Sequence, residues 1–351
     1  MLHFLQQILK PGRRSLLGKI VAIYIFLTCA TMAVWAWAFV SFHNFPVLLG
    51  TSLLAFSFGL RHAVDVDHIA AIDNVTRKLM QEGKTPVTVG LFFSAGHSTI
   101  VVLASVAVAA GAAAFKDRFE AFHTMGGVVG TLVSASFLLV IAIINIIILA
   151  DVFRAFQHVK AGGRYADDDL NLLFAGQGFL VRIFRPLFQV IGQSWHMYPL
   201  GFLFALGFDT ATEIGLLGIS AAEASKGLPV WSILVFPALF TVGMMLIDTS
   251  DSILMLGAYG WAFIKPIRKL YYNMTITFVS VLVALAVGGI EALGLIGGKL
   301  GLEGSFWEFI GRLNDNFGVI GFVIIGIFVL AWIVSFLIYR VKRYDELKVH
   351  I

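Results

Sequence analysis

Eight stretches of the chain are continuously apolar over about 20 residues, the length an α-helix needs to cross a hydrocarbon core. They fall at 20–40, 46–72, 86–114, 124–150, 199–221, 230–259, 272–290 and 317–338. The first, fourth, seventh and eighth carry no charged residue; the other four carry ionisable groups. None shows the ten-residue alternation of a membrane β-barrel strand. The pattern predicts an all-α integral membrane fold of eight transmembrane helices in one polytopic domain over 1–351. A long connection, 151–198, separates the fourth and fifth spans; its Asp167-Asp168-Asp169 run suits the cap of an interfacial helix. The first span ends near Ala36-Trp37-Ala38, which mimics a cleavage site, but its apolar run exceeds a signal peptide's usual core.

The spans also contain a weak repeat. Gly59-Leu60-Arg61-His62 aligns with Gly207-Phe208-Asp209-Thr210, which sets Asp65 on Glu213, and Gly96 aligns with Gly243. Spans three apart cross the membrane in opposite directions, so the expectation is an inverted repeat of spans 1–3 and 4–6.

Composition sharpens this picture. Hydrophobic residues make up 59% of the 351 and charged residues 13%, against about 25% charged in soluble domains. That excludes a soluble enzyme and a disordered chain. The single cysteine, Cys29, excludes an intrachain disulfide and a thiolate metal cage. The net charge of +4 comes with no basic run dense enough for nucleic acid. Nineteen of the Lys and Arg residues fall at the two termini and in alternate connections, five on the opposite side, and Arg61 within a span. The positive-inside rule then places both termini in the cytoplasm.

An ionisable side chain at the bilayer centre costs about 2.5–3.5 kcal/mol on insertion scales. This chain places many there. The second span holds Arg61, His62, Asp65, Asp67 and His68, and the third His97. The fifth holds Asp209 and Glu213, and the sixth Asp248 and Asp251. Six carboxylates against one arginine call for protons, water or a cation, and a cation path accounts for all six at once. The densest stretch, Arg61 to His68, combines imidazole nitrogen with carboxylate oxygen, a mixture that suits divalent Ni, Co or Zn. On a regular helix His62, Asp65 and His68 share an arc of about 120°, which Asp67 falls outside. Either Asp65 is the ligand and Asp67 its neighbour, or the helix is locally broken. His97 follows Gly96, which permits close helix approach, and precedes Ser98. Asp209 and Glu213 share a face, as do Asp248 and Asp251, with Thr210 beside the first pair. Met1-Leu2-His3 is a further chelating pattern at the amino terminus.

Taken together, Arg61–His68 resembles the signature of the bacterial nickel/cobalt transporter family: a histidine, four residues, then Asp-His. The resemblance extends to 93–99, to 206–214 and to 243–251, with one departure at Ser252, where the family usually has Gly. It implies uptake of Ni²⁺ or Co²⁺ across the inner membrane, with His62, Asp67 and His68 central, and no enzymatic activity. The implied partners are the metal ion and the bilayer. No cofactor is implied, and with no Walker motif, no ATPase. Two other readings are divalent-metal efflux, which often uses a His-rich loop not found here, and a membrane acyltransferase using His62 and Asp67 as base and orienting acid.

Overall fold

Proline and glycine set the helix ends, because proline lacks the N–H a helix interior needs and glycine accepts the left-handed backbone that closes a last turn. The structure, a computed structural model, describes residues 11–160, 191–207, 211–262 and 266–342. These form eleven α-helices and, among the described residues, no strand. In chain order they are α1 (Pro11–Phe42), α2 (Pro46–His62), α3 (Val66–Gln81), α4 (Val89–Lys160), α5 (Met197–Phe204), α6 (Ala211–Ser225), α7 (Val230–Ile233), α8 (Val235–Ala262), α9 (Pro266–Leu300), α10 (Ser305–Asp315) and α11 (Phe317–Val341). Gly83 and Gly301, both at positive φ, close α3 and α9. Beside them the Lys84 and Leu302 N–H groups reach back five residues to the Leu79 and Gly297 carbonyls.

Among the described residues six helical segments, two of them within α4, are long and apolar enough to cross a membrane: Leu16–Phe42, Val89–Ala109, Met125–Lys160, Val230–Ala258, Leu270–Leu300 and Phe317–Val341. Counting α2 and α3 as one bent span makes seven. These correspond to seven of the eight stretches expected from hydropathy. The remaining one, 199–221, falls on α5 and α6, neither long enough alone, with 208–210 outside the described residues.

Two segments expected to be connections are helical. Helical backbone runs unbroken from Val89 to Lys160, through the presumed turn after residue 114 and past residue 150. The segment at 111–123 contains alanines and charged residues but no proline, so nothing in it stops a helix. Residues 73–78, expected beyond the end of the second span, lie within α3, and Arg77 and Lys78 there are buried rather than solvated. The acidic trio at 167–169 lies outside the described residues.

The chain divides into two compact units, interleaved in sequence. The first comprises Met1–Val64, Leu79–Gly130 and Gln193–Ile253; the second Asp65–Lys78, Thr131–Gly192 and Leu254–Ile351. The first unit packs Phe42, Val101, Leu216, Phe236 and Phe240 into one apolar cluster, with the Phe42 and Phe236 rings stacked at 5.6 Å. Its helices touch backbone to backbone. A Cβ on Gly59 would overlap the Phe240 carbonyl, and one on Gly243 would press on that of Phe56, so α2 and α8 meet through reciprocal glycines. Gly96 of α4 and Gly201 of α5 meet the Tyr198 and Phe93 carbonyls in the same way. Small residues at such crossings are how helices associate in lipid, where the hydrophobic effect offers no force between them. The second unit clusters Val152, Phe156, Leu270, Tyr272 and Tyr339. Phe26, Met32, Phe39, Leu254, Leu282 and Leu330 are more than half exposed, as lipid-facing residues are.

The glycine crossings give a prediction. Gly59→Leu forces α2 from α8 and should cost about 1–3 kcal/mol as overpacking, read as a lowered Tm and a loss of monodisperse protein in detergent. Gly218→Leu, at a position with open space around it, should leave both unchanged. Equal behaviour of the two variants would show that the close crossing does not hold the unit together.

Candidate metal centre

Three helices of the first unit deliver one side chain each. α2 ends at His62, three residues beyond the Gly59 crossing, and His97 stands next to Gly96 on α4. Glu213 lies in the first turn of α6, where the positive end of the helix dipole favours a carboxylate. All three are nearly fully buried: His62 is 1% exposed, His97 3% and Glu213 1%.

Their ligand atoms converge. His62 Nε2 lies 2.8 Å from His97 Nε2, which lies 2.9 Å from Glu213 Oε1. The remaining edge, His62 Nε2 to Glu213 Oε1, is 3.8 Å. On its other side the His62 ring meets the Thr212 hydroxyl, with Nδ1 and Oγ1 3.1 Å apart. A neutral imidazole has one N–H and one lone pair. With the His62 Nδ1–H donating to Thr212, the Nε2 lone pair points at His97 and Glu213. One N–H on His97 Nε2 can serve only part of that triangle, so lone pairs face one another across it. A cation answers all three. Metals with bonds of about 2.0–2.1 Å hold right-angle ligands about 2.9 Å apart, close to the two short edges. Phe240 and Phe93 flank the rings of His62 and His97, with centroids at 5.4 and 6.3 Å, and limit water.

The other sequence-predicted residues lie as follows. Asp248 is fully buried and its Oδ2 accepts from Ser94 Oγ at 2.6 Å. Asp251 is half-buried. Ser98 is buried, its hydroxyl without a hydrogen-bond partner among the described residues. Ser252 is buried and donates to the Thr249 carbonyl at 3.0 Å. Arg61 is exposed and has no carboxylate partner among the described residues: one residue from His62, it sits about 100° around the helix from it. Asp209, Thr210 and His3 lie outside the described residues.

The chain is not a regular helix through the signature. α2 stops at His62, Ala63 to Asp65 form a break, and α3 starts at Val66. The Val64 N–H reaches back only three residues to the Arg61 carbonyl, and the Ile69 N–H bonds the Asp65 carbonyl as the first turn of α3. Val64 and Val66 are β-branched and Asp65 sits at the capping position, so the sequence favours a restart here. The regular-helix objection to Asp67 therefore does not apply. Asp65 and His68 are buried, and Asp67 is half-buried in the first turn of α3. Its buried Oδ1 has no hydrogen-bond partner among the described residues. The place of Thr212 next to Glu213 is its only signal in the sequence; which ring it supports is seen only in the fold.

The family model for the high-affinity nickel-transport protein matches residues 48–338, most of the chain. The chain belongs to this family. It is 62% identical to the high-affinity nickel transport protein of Cupriavidus necator, over 95% of each chain. It is 52% identical to the hydrogenase nickel incorporation protein HupN of Bradyrhizobium diazoefficiens, over 90% of this chain and 82% of that one. A cobalt transport protein, NhlF of Rhodococcus rhodochrous, is 37% identical over 84% of each. No solved structure matches. The family is one of transporters, not enzymes, and its model begins after α1.

Thr212 gives this site's prediction. Thr212→Val keeps the shape and removes the oxygen that orients His62. Loss of such a supporting hydrogen bond typically weakens metal affinity 10–100-fold; about tenfold is expected for Ni²⁺ titrated calorimetrically into the detergent-solubilised protein. An unchanged affinity would remove Thr212 from the support of His62.

Proposed function

We propose that this protein carries Ni²⁺ inward across the bacterial inner membrane, with Co²⁺ as a second cargo, through a site that includes His62, His97 and Glu213. The observation that carries this reading is the buried triangle of two imidazole nitrogens and one carboxylate oxygen with edges of 2.8, 2.9 and 3.8 Å. Mixed N/O ligands favour first-row divalent ions over Mg²⁺ or Ca²⁺, and the named relatives include nickel transporters and one cobalt transporter. His68, Asp67 and Asp65 are assigned to the same metal path from the sequence pattern, and Asp248, Asp251, Ser98, Asp209, Thr210 and Arg61 to its surroundings.

A divalent ion entering gains about 4.6 kcal/mol per 100 mV of inside-negative potential, at 2.3 per charge. Dehydration at the site is offset by three ligands already held close together. Arg77 and Lys78 are buried and drop out of the charge asymmetry; the bias that sets both termini in the cytoplasm persists without them. Eight crossings require that α5 and α6 together make a broken fifth span and that α4 turns back between its two apolar segments, Val89–Ala109 and Met125–Lys160. The inverted repeat draws support from the glycine crossings. Exchanging the halves carries Phe93 and Gly96 onto Phe240 and Gly243, and Phe56 and Gly59 onto Tyr198 and Gly201. The second pair is offset by six residues from the sequence alignment of Gly59 with Gly207.

Radioactive Ni²⁺ uptake into cells, with unlabelled Ni²⁺, Co²⁺, Zn²⁺ and Mn²⁺ as competitors, tests the reading. Ni²⁺ should compete best and Co²⁺ next. His97→Ala and Glu213→Gln should lower uptake about tenfold or more at unchanged membrane abundance. Wild-type uptake by inserted His97→Ala protein would exclude the triangle as the path.

A further inference from the structure

The second unit carries a surface groove of about 530 Å³ between α4 and α9, which no residue of the metal centre lines. Ile146, Leu149, Ala150 and Phe153 line it from α4, and Met274, Thr275 and Phe278 from α9. Thr275 is the polar side chain among them, and its hydroxyl is spent on the Tyr271 carbonyl at 2.9 Å. Phe153 and Phe278 are about half exposed, at 48% and 51%. The lining side chains therefore offer an occupant apolar contact and no hydrogen bond. For a face turned to the bilayer, an acyl chain meets that description.

The rings beside the groove set its depth. The Tyr271 ring centre lies 5.9 Å from that of Phe156 on α4 and 5.5 Å from that of Tyr339 on α11, and Tyr272 joins the same cluster. Tyrosines gather at membrane–water interfaces. Phe153 and Met274 lie three residues inward from Phe156 and Tyr271, about 4.5 Å deeper at 1.5 Å per residue. Leu149 and Phe278 follow four residues beyond those. Outward, the lining face of α4 turns basic. Arg154 follows Ala150 by four residues and Lys160 follows Phe153 by seven, so both stay on that face. Both are exposed, as is Gln157 between them. Arg340 and Lys342, also exposed, follow Tyr339 at the end of α11.

Apolar contact alone holds no particular lipid, because a chain in the groove and a chain in the bilayer meet equally apolar surroundings. Basic side chains at the headgroup level do select, by attracting a phosphate. We propose that the groove is a binding site for one anionic phospholipid, with an acyl chain lying along Phe153, Met274 and Phe278 and the phosphate against Arg154 and Lys160. A second copy of this chain would set its own basic helix ends at the same level of the membrane, against these residues, so charge favours the lipid as occupant.

The test is native mass spectrometry of the full-length protein, purified in detergent and titrated with dioleoyl phosphatidylglycerol or with dioleoyl phosphatidylcholine, whose chains are identical. Wild type should bind one phosphatidylglycerol in preference to phosphatidylcholine by about 25-fold, at about fivefold for each of two basic residues. Arg154→Gln combined with Lys160→Gln should remove that preference. Ala150→Trp, which fills the groove at an exposed position and leaves every charge in place, should remove the bound lipid. Equal binding of the two lipids by wild type, or binding of neither, overturns the proposal. So does an unaltered preference in the double variant, which would take the phosphate away from Arg154 and Lys160. Unaltered phosphatidylglycerol binding by Ala150→Trp overturns the groove as the seat of the chain. A wild-type dimer that Ala150→Trp turns into a monomer would make a second copy the occupant and overturn the lipid assignment.

Discussion

Everything at the metal centre depends on how closely α2, α4, α5 and α8 approach one another. Helices in lipid gain nothing from hiding apolar surface, so their separation is set by the side chains at the crossing. Where glycine lies against a carbonyl, as at Gly59 and Gly96, the axes come nearer than leucine or phenylalanine would allow. His62 is one turn from the first crossing and His97 adjacent to the second. The 2.8 Å between their Nε2 atoms follows from those crossings together with the stacked Phe42 and Phe236 in the core around them. Glu213 enters from the start of a short helix, so its carboxylate is favoured by the helix dipole at the point where it meets the imidazoles.

The same medium explains why several buried acids are matched with hydroxyls. A buried acid in hydrocarbon needs a donor, and three of them here use a serine: Asp248 with Ser94, Asp73 with Ser280, and Glu291 with Ser134. A hydroxyl can face either the charged or the neutral carboxyl. That tolerance suits a molecule whose interior charge changes as cations pass.

Much of this was legible in the sequence. Apolar runs announced seven of the spans to within a few residues at most ends, because hydrocarbon imposes length and composition together. His62, His97 and Glu213 stood out because each is an ionisable group in an apolar run. Other parts were illegible for definite reasons. α3 is mixed in polarity along its length, so Asp73 and Arg77 read as a solvated connection, and only the fold reveals that α9 offers Ser280 and Thr277 to them. The break at Ala63–Asp65 contains neither proline nor glycine; its signals, a capping aspartate between two valines, are common inside ordinary helices. Arg61 read as a charge partner for the acids, yet it faces away, since adjacent residues on a helix diverge by about 100°.

The central claim is that the buried imidazoles of His62 and His97 bind the transported ion directly. X-ray absorption at the nickel edge of purified, Ni²⁺-loaded protein measures this. Wild type should give a shell of nitrogen and oxygen at about 2.0–2.1 Å with the outer scattering of at least two imidazoles, and His97→Ala should lose the contribution of one ring. A sulfur shell, or identical imidazole scattering in wild type and His97→Ala, would contradict the account.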